Sequence, residues 1–245
     1  MENSDARAGH RQPVSIADRL SFMVIERRER DTLASMRPDM AEILDESLSE
    51  FYQRVHDVPE LARFFPTEAT TSKARSLQQM HWETILSGKF GPDYVSDVTR
   101  IGHAHARIGL EPRWYIDGYA VLLDAICRRL IKRGVQGGPR FALGRAAYET
   151  EMGEKLGQQI GAILKAAFLD MDLVISTYLA RLEEERQKAA SERSALEQIA
   201  QALERVAEGD LSATLAQDVA ERSPVLAAAF AKLKTGLNTV VSDIR

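Results

Sequence analysis

The chain has 245 residues, and 44% of them are hydrophobic, enough to form a folded core, which excludes a protein that is disordered throughout. Its formal net charge is −4, so no basic surface of the kind that binds nucleic acid is expected. The single cysteine, Cys127, excludes an internal disulfide, and no apolar run approaches the roughly 20 residues that span a bilayer.

The first fifteen residues are polar and lack the apolar centre of a secretory signal. We therefore expect residues 1–15 to form a disordered tail. We also expect the protein to be cytoplasmic, without a membrane span.

Beyond this tail the sequence predicts helices nearly throughout, because no segment keeps the period-2 alternation of a strand for long. Pro38 suits the first turn of a helix that runs to about residue 57. Thr70 or Thr71 can cap a helix over residues 72–86.

Prolines and glycines then mark the following helices. Pro92 is expected to open a helix over residues 92–108, and Pro112 a helix over residues 112–133, with a Gly-Leu-Glu-Pro turn between them. A turn follows, and after Pro139 no proline occurs until Pro224. Within that stretch, residues 156–178 carry a continuous helical stripe of apolar side chains.

A seven-residue repeat follows this stripe and indicates a coiled-coil seam. The repeating positions are Leu182, Ala189, Leu196 and Leu203. Residues 208–224 interrupt the pattern before a last amphipathic helix. We therefore predict an all-α chain with a compact domain over residues 16–178, a coiled-coil linker over residues 179–190 and a helix–connector–helix segment over residues 191–245.

Two histidines one residue apart, His103 and His105, make the helix over residues 92–108 the first place to look for a ligand site. His105 shares a helical stripe with Ile101, four residues earlier, and Ile108, three residues later. His103 shares its stripe with charged residues. The spacing therefore turns His105 towards the core and His103 towards water.

A lone buried histidine is commonly a core residue with a hydrogen-bond partner, and that alternative applies to His105. Its surroundings also suit a ligand, because Gly109 ends the helix and the next helix begins with Trp114 and Tyr115. No second histidine, cysteine or carboxylate lies on the His105 stripe, so a zinc site would lack ligands. Haem fits better, because it needs only one protein nitrogen.

Four stretches now carry a resemblance: "DRLSFMVIERRERDTL", "FYQRVHDVPELARFF", "LQQMHWETILSGKFGPDYV" and "RIGHAHARIGLEPRWYIDGY". In this order and spacing they resemble the sensor domain of the globin-coupled sensors, from about residue 18 to residue 133 and less distinctly to residue 178. The resemblance implies a globin fold with an extra N-terminal helix, haem b (iron protoporphyrin IX) and gas sensing.

The resemblance also implies roles for individual residues. His105 matches the proximal iron ligand, Tyr115 a tyrosine packed near that ligand, and Tyr52 a tyrosine that donates a hydrogen bond to the bound gas. Independently, Tyr52 lies on an apolar helical stripe, so its ring should be buried and its hydroxyl should need a partner. A core tyrosine bonded to a backbone carbonyl is the alternative.

Leu77 and His81 also bear on the predicted pocket in which the gas would bind. Leu77 matches a position where some family members carry a second polar group, so Tyr52 is expected to be the sole donor in a drier pocket. With Ile101 and Ile108 beside His105, these residues complete the predicted haem site. His81 lies one turn beyond Leu77; we expect a structural role for it, with ligation of the iron as the alternative.

Residues 191–245 resemble a HAMP-type signalling module, mainly through the Gly209–Asp210–Leu211 triplet. The resemblance to the globin-coupled sensors implies a homodimer formed by the last two globin helices and extended by the stalk, with O₂ as the gaseous ligand. The signalling hairpin of a chemotaxis transducer is not present, so the output is expected in a longer protein or in another polypeptide.

The hypothesis that follows is an oxygen-sensing input, without enzymatic activity, for an aerotaxis transducer. One alternative is the same input for a histidine kinase or diguanylate cyclase. A globin-like interaction scaffold without haem is another. A haem enzyme such as a peroxidase is disfavoured, because no distal acid–base pair is found.

Overall fold

The structure is a computed structural model that describes residues 14–136 and 145–243. These residues are helical with short connections, and no β-strand occurs among them. The helices are α1 (Ile16–Phe22), α2 (Arg27–His56), α3 (Pro59–Ala62), α4 (Glu68–Leu86), α5 (Pro92–Ile108), α6 (Pro112–Gln136), α7 (Arg145–Ala207), α8 (Gln217–Arg222) and α9 (Pro224–Asp243). The predicted all-α class is therefore confirmed.

Three predicted features lie partly or wholly outside the described residues. They are the tail up to residue 13, the turn around Pro139 and the last two residues of the chain. Ser15, which was assigned to the tail, instead caps α1, because its hydroxyl accepts a hydrogen bond from the backbone N–H of Asp18.

The start of α2 corrects the prediction made from Pro38. The helix begins at Arg27 and runs through Pro38. An interior proline costs about 3 kcal/mol, but Leu33, Met36 and Met40 on either side are all at most 1% exposed. Because burying one such side chain contributes about 1.5–3 kcal/mol, packing outweighs the local preference of proline to begin a helix.

The start of α4 is also corrected. Thr67, and not Thr70 or Thr71, is the N-cap, and its hydroxyl accepts a hydrogen bond from the Thr70 N–H at 3.2 Å. In turn, the Thr70 hydroxyl, at the third helical position, accepts a hydrogen bond from the Thr67 N–H, as in a capping box. The starts of α5 and α6 at Pro92 and Pro112 agree with the prediction.

The described chain divides into two compact units, one ending at Tyr178 and the other beginning at Leu179. In the first unit α2 packs against α4 and α6, around a core that includes Trp82, Ile126 and Ile163. Helix α7 contributes its apolar stripe up to Tyr178 to the same core.

Two contacts fix the position of other helices on α7. Arg19 of α1 forms an ion pair with Asp172 and bonds the Ser176 hydroxyl at 3.1 Å. At Gly102 of α5, an added Cβ would lie only 3.1 Å from the Cβ of Thr177. The absence of a side chain there allows α5 to lie close to α7.

An ion-pair ladder joins the outer faces of α2 and α6. Arg133 pairs with Glu42 at 3.0 Å, and Arg129 pairs with Glu46 at 3.0 Å and with Glu50 at 2.9 Å. Because these pairs are partly exposed, each is worth only about 0–1 kcal/mol. Their contribution is mainly to the register of the two helices.

The second unit has a small core formed by Ala202, Val206, Ala213 and Phe230. The connector begins at Gly209, whose φ of +93° lies in the positive range that glycine adopts more easily than other residues. The Asp210 carboxylate accepts hydrogen bonds from the N–H and hydroxyl of Ser212 at 2.9 and 2.5 Å and pairs with Arg205. The hydrogen bond from the Ser212 hydroxyl, followed by that from Arg205, lowers the pKa of Asp210 to about 2.

None of the helices in residues 14–136 and 145–243 combines the length and the apolar character that crossing a membrane requires.

Candidate functional site

His105 and His103 lie on α5 with opposite exposure, as the sequence predicts. His103 is exposed, whereas His105 is half-buried. The Nδ1 atom of His105 is fully buried and makes no hydrogen bond of normal geometry with the described residues, although the backbone of Ile101, one turn earlier, gives the ring a weaker hydrogen-bond interaction. Burial lowers the pKa of His105, although the negative charge of Asp170 opposes the shift. The ring is therefore a neutral imidazole, the form that binds a metal.

Tyr115, at the start of α6, contacts His105 directly. The two ring centroids lie 5.3 Å apart with planes inclined by 59°. The contact forms because α5 ends at Gly109, which has a φ of +76°, and the short turn leads straight into α6. The structure thus brings these two predicted site residues together.

The two isoleucines beside His105 differ in exposure. Ile101 is half-buried, but Ile108 is 51% exposed. The expectation that Ile108 faces the core is therefore wrong for the protein chain alone. Ile108 is the last residue of α5, so its side chain lies at the end of the helix, where the core no longer covers it.

Tyr52 is buried, with 7% exposure, as predicted from its stripe on α2. Its ring contacts Phe51 and Phe65, with centroids 5.1 and 5.5 Å away, and burial raises its pKa far above the ordinary value. Within the described part of the chain, the Tyr52 hydroxyl has no hydrogen-bond partner. The predicted alternative, a bond to a backbone carbonyl, is not found there.

Leu77 is 56% exposed, so the protein chain by itself does not enclose it in a distal pocket. It belongs to a group of large apolar side chains on α4, α5 and α6 that are about half exposed. The group comprises Leu77, Met80, Ile108 and Ile116, with exposures of 56%, 61%, 51% and 48%. A flat apolar molecule bound along these helices would remove such surface from water.

Asp170 on α7 is a fully buried carboxylate that was not among the predicted site residues. Its Oδ1 accepts hydrogen bonds from the Tyr94 hydroxyl at 2.7 Å and from His81 Nε2 at 2.9 Å. Its Oδ2 accepts from the hydroxyls of Tyr115 and Tyr119 at 2.9 and 2.6 Å. We call these five side chains the Asp170 cluster.

The cluster satisfies a charge that would otherwise be costly to bury. Burial raises the pKa of Asp170, but the hydrogen bond and charge of His81, together with the tyrosine donors, outweigh burial and lower it. Burial and then the charge of Asp170 raise the pKa values of Tyr94, Tyr115 and Tyr119. The cluster therefore holds one carboxylate and three neutral phenols.

One sequence signal could have identified Asp170. It lies three residues after Ala167 and four before Val174, both on the apolar stripe of α7. An acidic residue at such a spacing must face the core and needs partners there. The structure also gives His81 a hydrogen-bonded place in the cluster, whereas His56 is exposed and lies 3.2 Å from the Thr71 hydroxyl.

The donor set fits a cofactor that needs a single protein ligand. His105 offers a neutral imidazole without a side-chain hydrogen bond, Tyr52 offers a hydroxyl without a partner among the described residues, and apolar side chains of α4, α5 and α6 are half exposed. The described residues contain no group of three or more histidines, cysteines and carboxylates arranged to hold a metal ion.

Comparison with known proteins places these features in a family. A protein-family model described as Protoglobin matches residues 13–184. The globin domain of a globin-coupled sensor from Geobacter sulfurreducens superposes with a TM-score of 0.54 at 17% identity, covering 68% of this chain and 99% of that one. This likeness confirms the predicted globin fold.

A curated relative extends the similarity along the sequence. The heme-based aerotactic transducer HemAT of Halobacterium salinarum is 25% identical over 224 residues, which cover 87% of this chain. The matched region is 42% of that relative's length, so the chain spans less than half of the transducer it resembles.

Proposed function

Because this chain belongs to the protoglobin family, we propose that it is a haem-based gas sensor that binds haem b through His105 and takes O₂ as its ligand. The observation that carries the proposal is the neutral imidazole of His105, which is half-buried beside Tyr115 and makes no side-chain hydrogen bond with the described residues. When bound, the haem would supply an iron to which a diatomic gas attaches reversibly.

In this proposal His105 is the proximal ligand, and its surroundings hold the ring in place. Tyr115 packs against the imidazole at 5.3 Å and is itself held by Asp170. Ile101 and Ile108 flank His105 on α5, so the porphyrin would cover the exposed part of Ile108.

Tyr52 would act as a hydrogen-bond donor to the bound gas. Its hydroxyl is neutral, since burial raises its pKa, and it has no partner among the described residues. A donor of this kind favours a ligand that carries partial negative charge, such as O₂, over a nearly neutral one such as CO. Leu77 would add apolar surface and no second donor.

The signal would leave the domain through α7. A displacement of His105 would reach α6 through the turn at Gly109 and through Tyr115, and the hydrogen bond from Tyr115 to Asp170 continues the path to α7. Because α7 is one helix from Arg145 to Ala207, a movement near Asp170 is carried along its length.

The proposal includes a cytoplasmic homodimer formed by the last two globin helices and the stalk, followed by a HAMP-like segment over residues 191–245. The seam leucines support dimerisation, because Leu182, Leu196 and Leu203 are 58%, 67% and 43% exposed in the single chain. Chemotaxis is the favoured output, since the curated relative is an aerotactic transducer. The chain itself would act as a sensor input and not as an enzyme.

The decisive test is the visible spectrum of the purified protein after reconstitution with haem. We expect a Soret band that shifts on adding O₂ or CO to the reduced protein. The His105→Ala variant should lose haem, whereas His103→Ala, its control on the exposed face of α5, should retain it. If the wild-type protein takes up no haem, the interaction scaffold becomes the better hypothesis. If His103→Ala alone loses haem, the assignment of the ligand is wrong.

A further inference from the structure

His81 has a nitrogen that could compete for the proposed haem iron, and the structure shows what holds it. The ring lies on α4, one turn after Leu77, stacked on Tyr94 with centroids 6.4 Å apart and planes inclined by 8°. It is close enough to His105 for its charge to influence that residue. Its Nε2 atom, however, points to Asp170 Oδ1 at 2.9 Å.

We propose that Asp170 is a positioning residue that holds His81 by Nε2 and so keeps this histidine from binding the haem iron. The inference rests on the proposed function, because it concerns the axial position at which a gas would bind. It assigns the specificity of that position to a carboxylate on a different helix.

The direction of the hydrogen bond follows from the chemistry of the pair. Asp170 has a lowered pKa and is ionised, so both of its oxygens are acceptors. His81 must therefore carry a proton on Nε2 and donate it. A nitrogen that carries this proton has no lone pair to give to a metal.

The strength of the hold follows from the complete cluster. Asp170 is fully buried, and each of its oxygens accepts two hydrogen bonds. His81 cannot leave without uncovering a buried charge, and hydrogen bonds to a charged acceptor are among the stronger ones in proteins. The three tyrosines keep the carboxylate in place on its other sides.

The test compares coordination states in the reduced, gas-free protein. We expect wild-type protein to show a five-coordinate high-spin spectrum that His81→Leu leaves unchanged. Asp170→Ala should give a six-coordinate low-spin spectrum, and the double variant Asp170→Ala, His81→Leu should return to five-coordinate. If His81 occupies the iron in nine of ten molecules, the apparent affinity for CO falls roughly tenfold.

Tyr94→Phe is the matched control. It removes a different donor from the same Oδ1 atom but keeps the aromatic ring stacked on His81, so the spectrum should remain five-coordinate. If Asp170→Ala does not fold, Asp170→Asn tests whether His81 binds the iron once the carboxylate is removed. The amide leaves four donors facing a single acceptor oxygen, so a low-spin fraction should appear that His81→Leu removes.

A readout without haem checks the bond itself. In the apoprotein, an NMR signal from a slowly exchanging His81 Nε2 proton should be present and should disappear in Asp170→Asn.

An unchanged five-coordinate spectrum in the Asp170 variants would overturn the inference, as would a low-spin wild-type protein that His81→Leu converts to high-spin. In both cases haem is bound and the proposed function survives. A protein without any Soret band would instead contradict the proposed function.

Discussion

His105 and Tyr52 of the first unit each present a polar group that makes no side-chain hydrogen bond with the described residues. Arg30 Nε and Ser47 Oγ of the same unit are also buried without a partner, so an unpaired atom does not by itself mark a ligand site, although buried polar groups are normally hydrogen-bonded. What distinguishes His105 is its chemistry, because a neutral imidazole can bind a metal, and its ring packs on Tyr115. In the Asp170 cluster, by contrast, each carboxylate oxygen accepts two hydrogen bonds.

Replacing Tyr52 with phenylalanine removes only the hydroxyl, and so tests whether that hydroxyl donates a hydrogen bond to the bound gas. The Tyr52→Phe variant should release O₂ about 10- to 100-fold faster, because a hydrogen bond to a partly charged ligand is worth about 1.5–3 kcal/mol. Release of CO should change much less. Stopped-flow measurement of both off-rates provides the comparison. Tyr148→Phe, which removes a hydroxyl that bonds the Gly134 carbonyl, is the control, and equal effects on both gases would exclude Tyr52 as the donor.

The ionised carboxylate of Asp170 should also make the free energy of unfolding depend on pH in the acid range. Its pKa is lower in the folded protein than in the unfolded chain, so its contribution is present above the ordinary pKa of about 3.8 and is lost as the pH falls through the lower folded value. Urea unfolding of the apoprotein, followed from about pH 6 down to about pH 3, should show a fall in the free energy of unfolding that is smaller in Asp170→Asn. The same pH slope in both proteins would contradict this account.

At the scale of helices, local signals predicted the boundaries where no tertiary contact opposed them. Pro92 and Pro112 begin α5 and α6 as their sequence context indicates. Pro38 does not begin α2, because buried side chains on both sides of it hold the longer helix together. The sequence contains both signals, but only the folded core determines which one is stronger.

The same difference between local signals and tertiary packing applies to the candidate site. The face of His105 was predictable, because it depends on spacings of three and four residues within one helix. The Asp170 cluster was not, because its hydrogen bonds join residues 51 to 89 positions apart in the sequence. Such contacts follow from the packing of α4, α5 and α6 on α7, which no local pattern encodes.

The contact between α2 and the end of α4 gives a prediction at the same scale. Gly88 has a φ of +66°, and an added Cβ would lie 2.7 Å from the Arg30 carbonyl oxygen. Gly88→Ala should destabilise the domain by about 2 kcal/mol or more, since the left-handed conformation alone costs about 1–2 kcal/mol. Gly91→Ala, where nothing lies within 4 Å of the added atom, should change stability by less than about 0.5 kcal/mol. Thermal unfolding followed by circular dichroism measures both, and equal losses would contradict the packing argument.

For the whole molecule, the exposed seam of the second unit is the feature that most needs a partner. Leu182 and Leu196 are more than half exposed on the part of α7 beyond Tyr178, where most of the other residues are charged or polar. Leucines repeated at heptad spacing are normally covered by a second helix. This arrangement supports the proposed homodimer, in which two copies would cover the seam of each other.

Charge placed in the seam should separate the two copies. The double variant Leu182→Glu, Leu196→Glu should weaken the dimer at least about tenfold, because it replaces apolar contact with buried like charges. Sedimentation equilibrium measures the dissociation constant. Ser194→Glu adds charge at an exposed position outside the seam and should leave it unchanged. Wild-type protein that sediments as a monomer at all concentrations would contradict the dimer.

The ladder of ion pairs between α2 and α6 has a mechanical consequence. Glu42, Glu46 and Glu50 repeat every four residues, as do Arg129 and Arg133. A slide of α6 towards Glu50 by about 6 Å, the rise of four residues, would bring Arg133 level with Glu46 and leave Arg129 with Glu50 alone. The ladder therefore opposes sliding of α6 along α2, by about 0–1 kcal/mol for each pair that is lost.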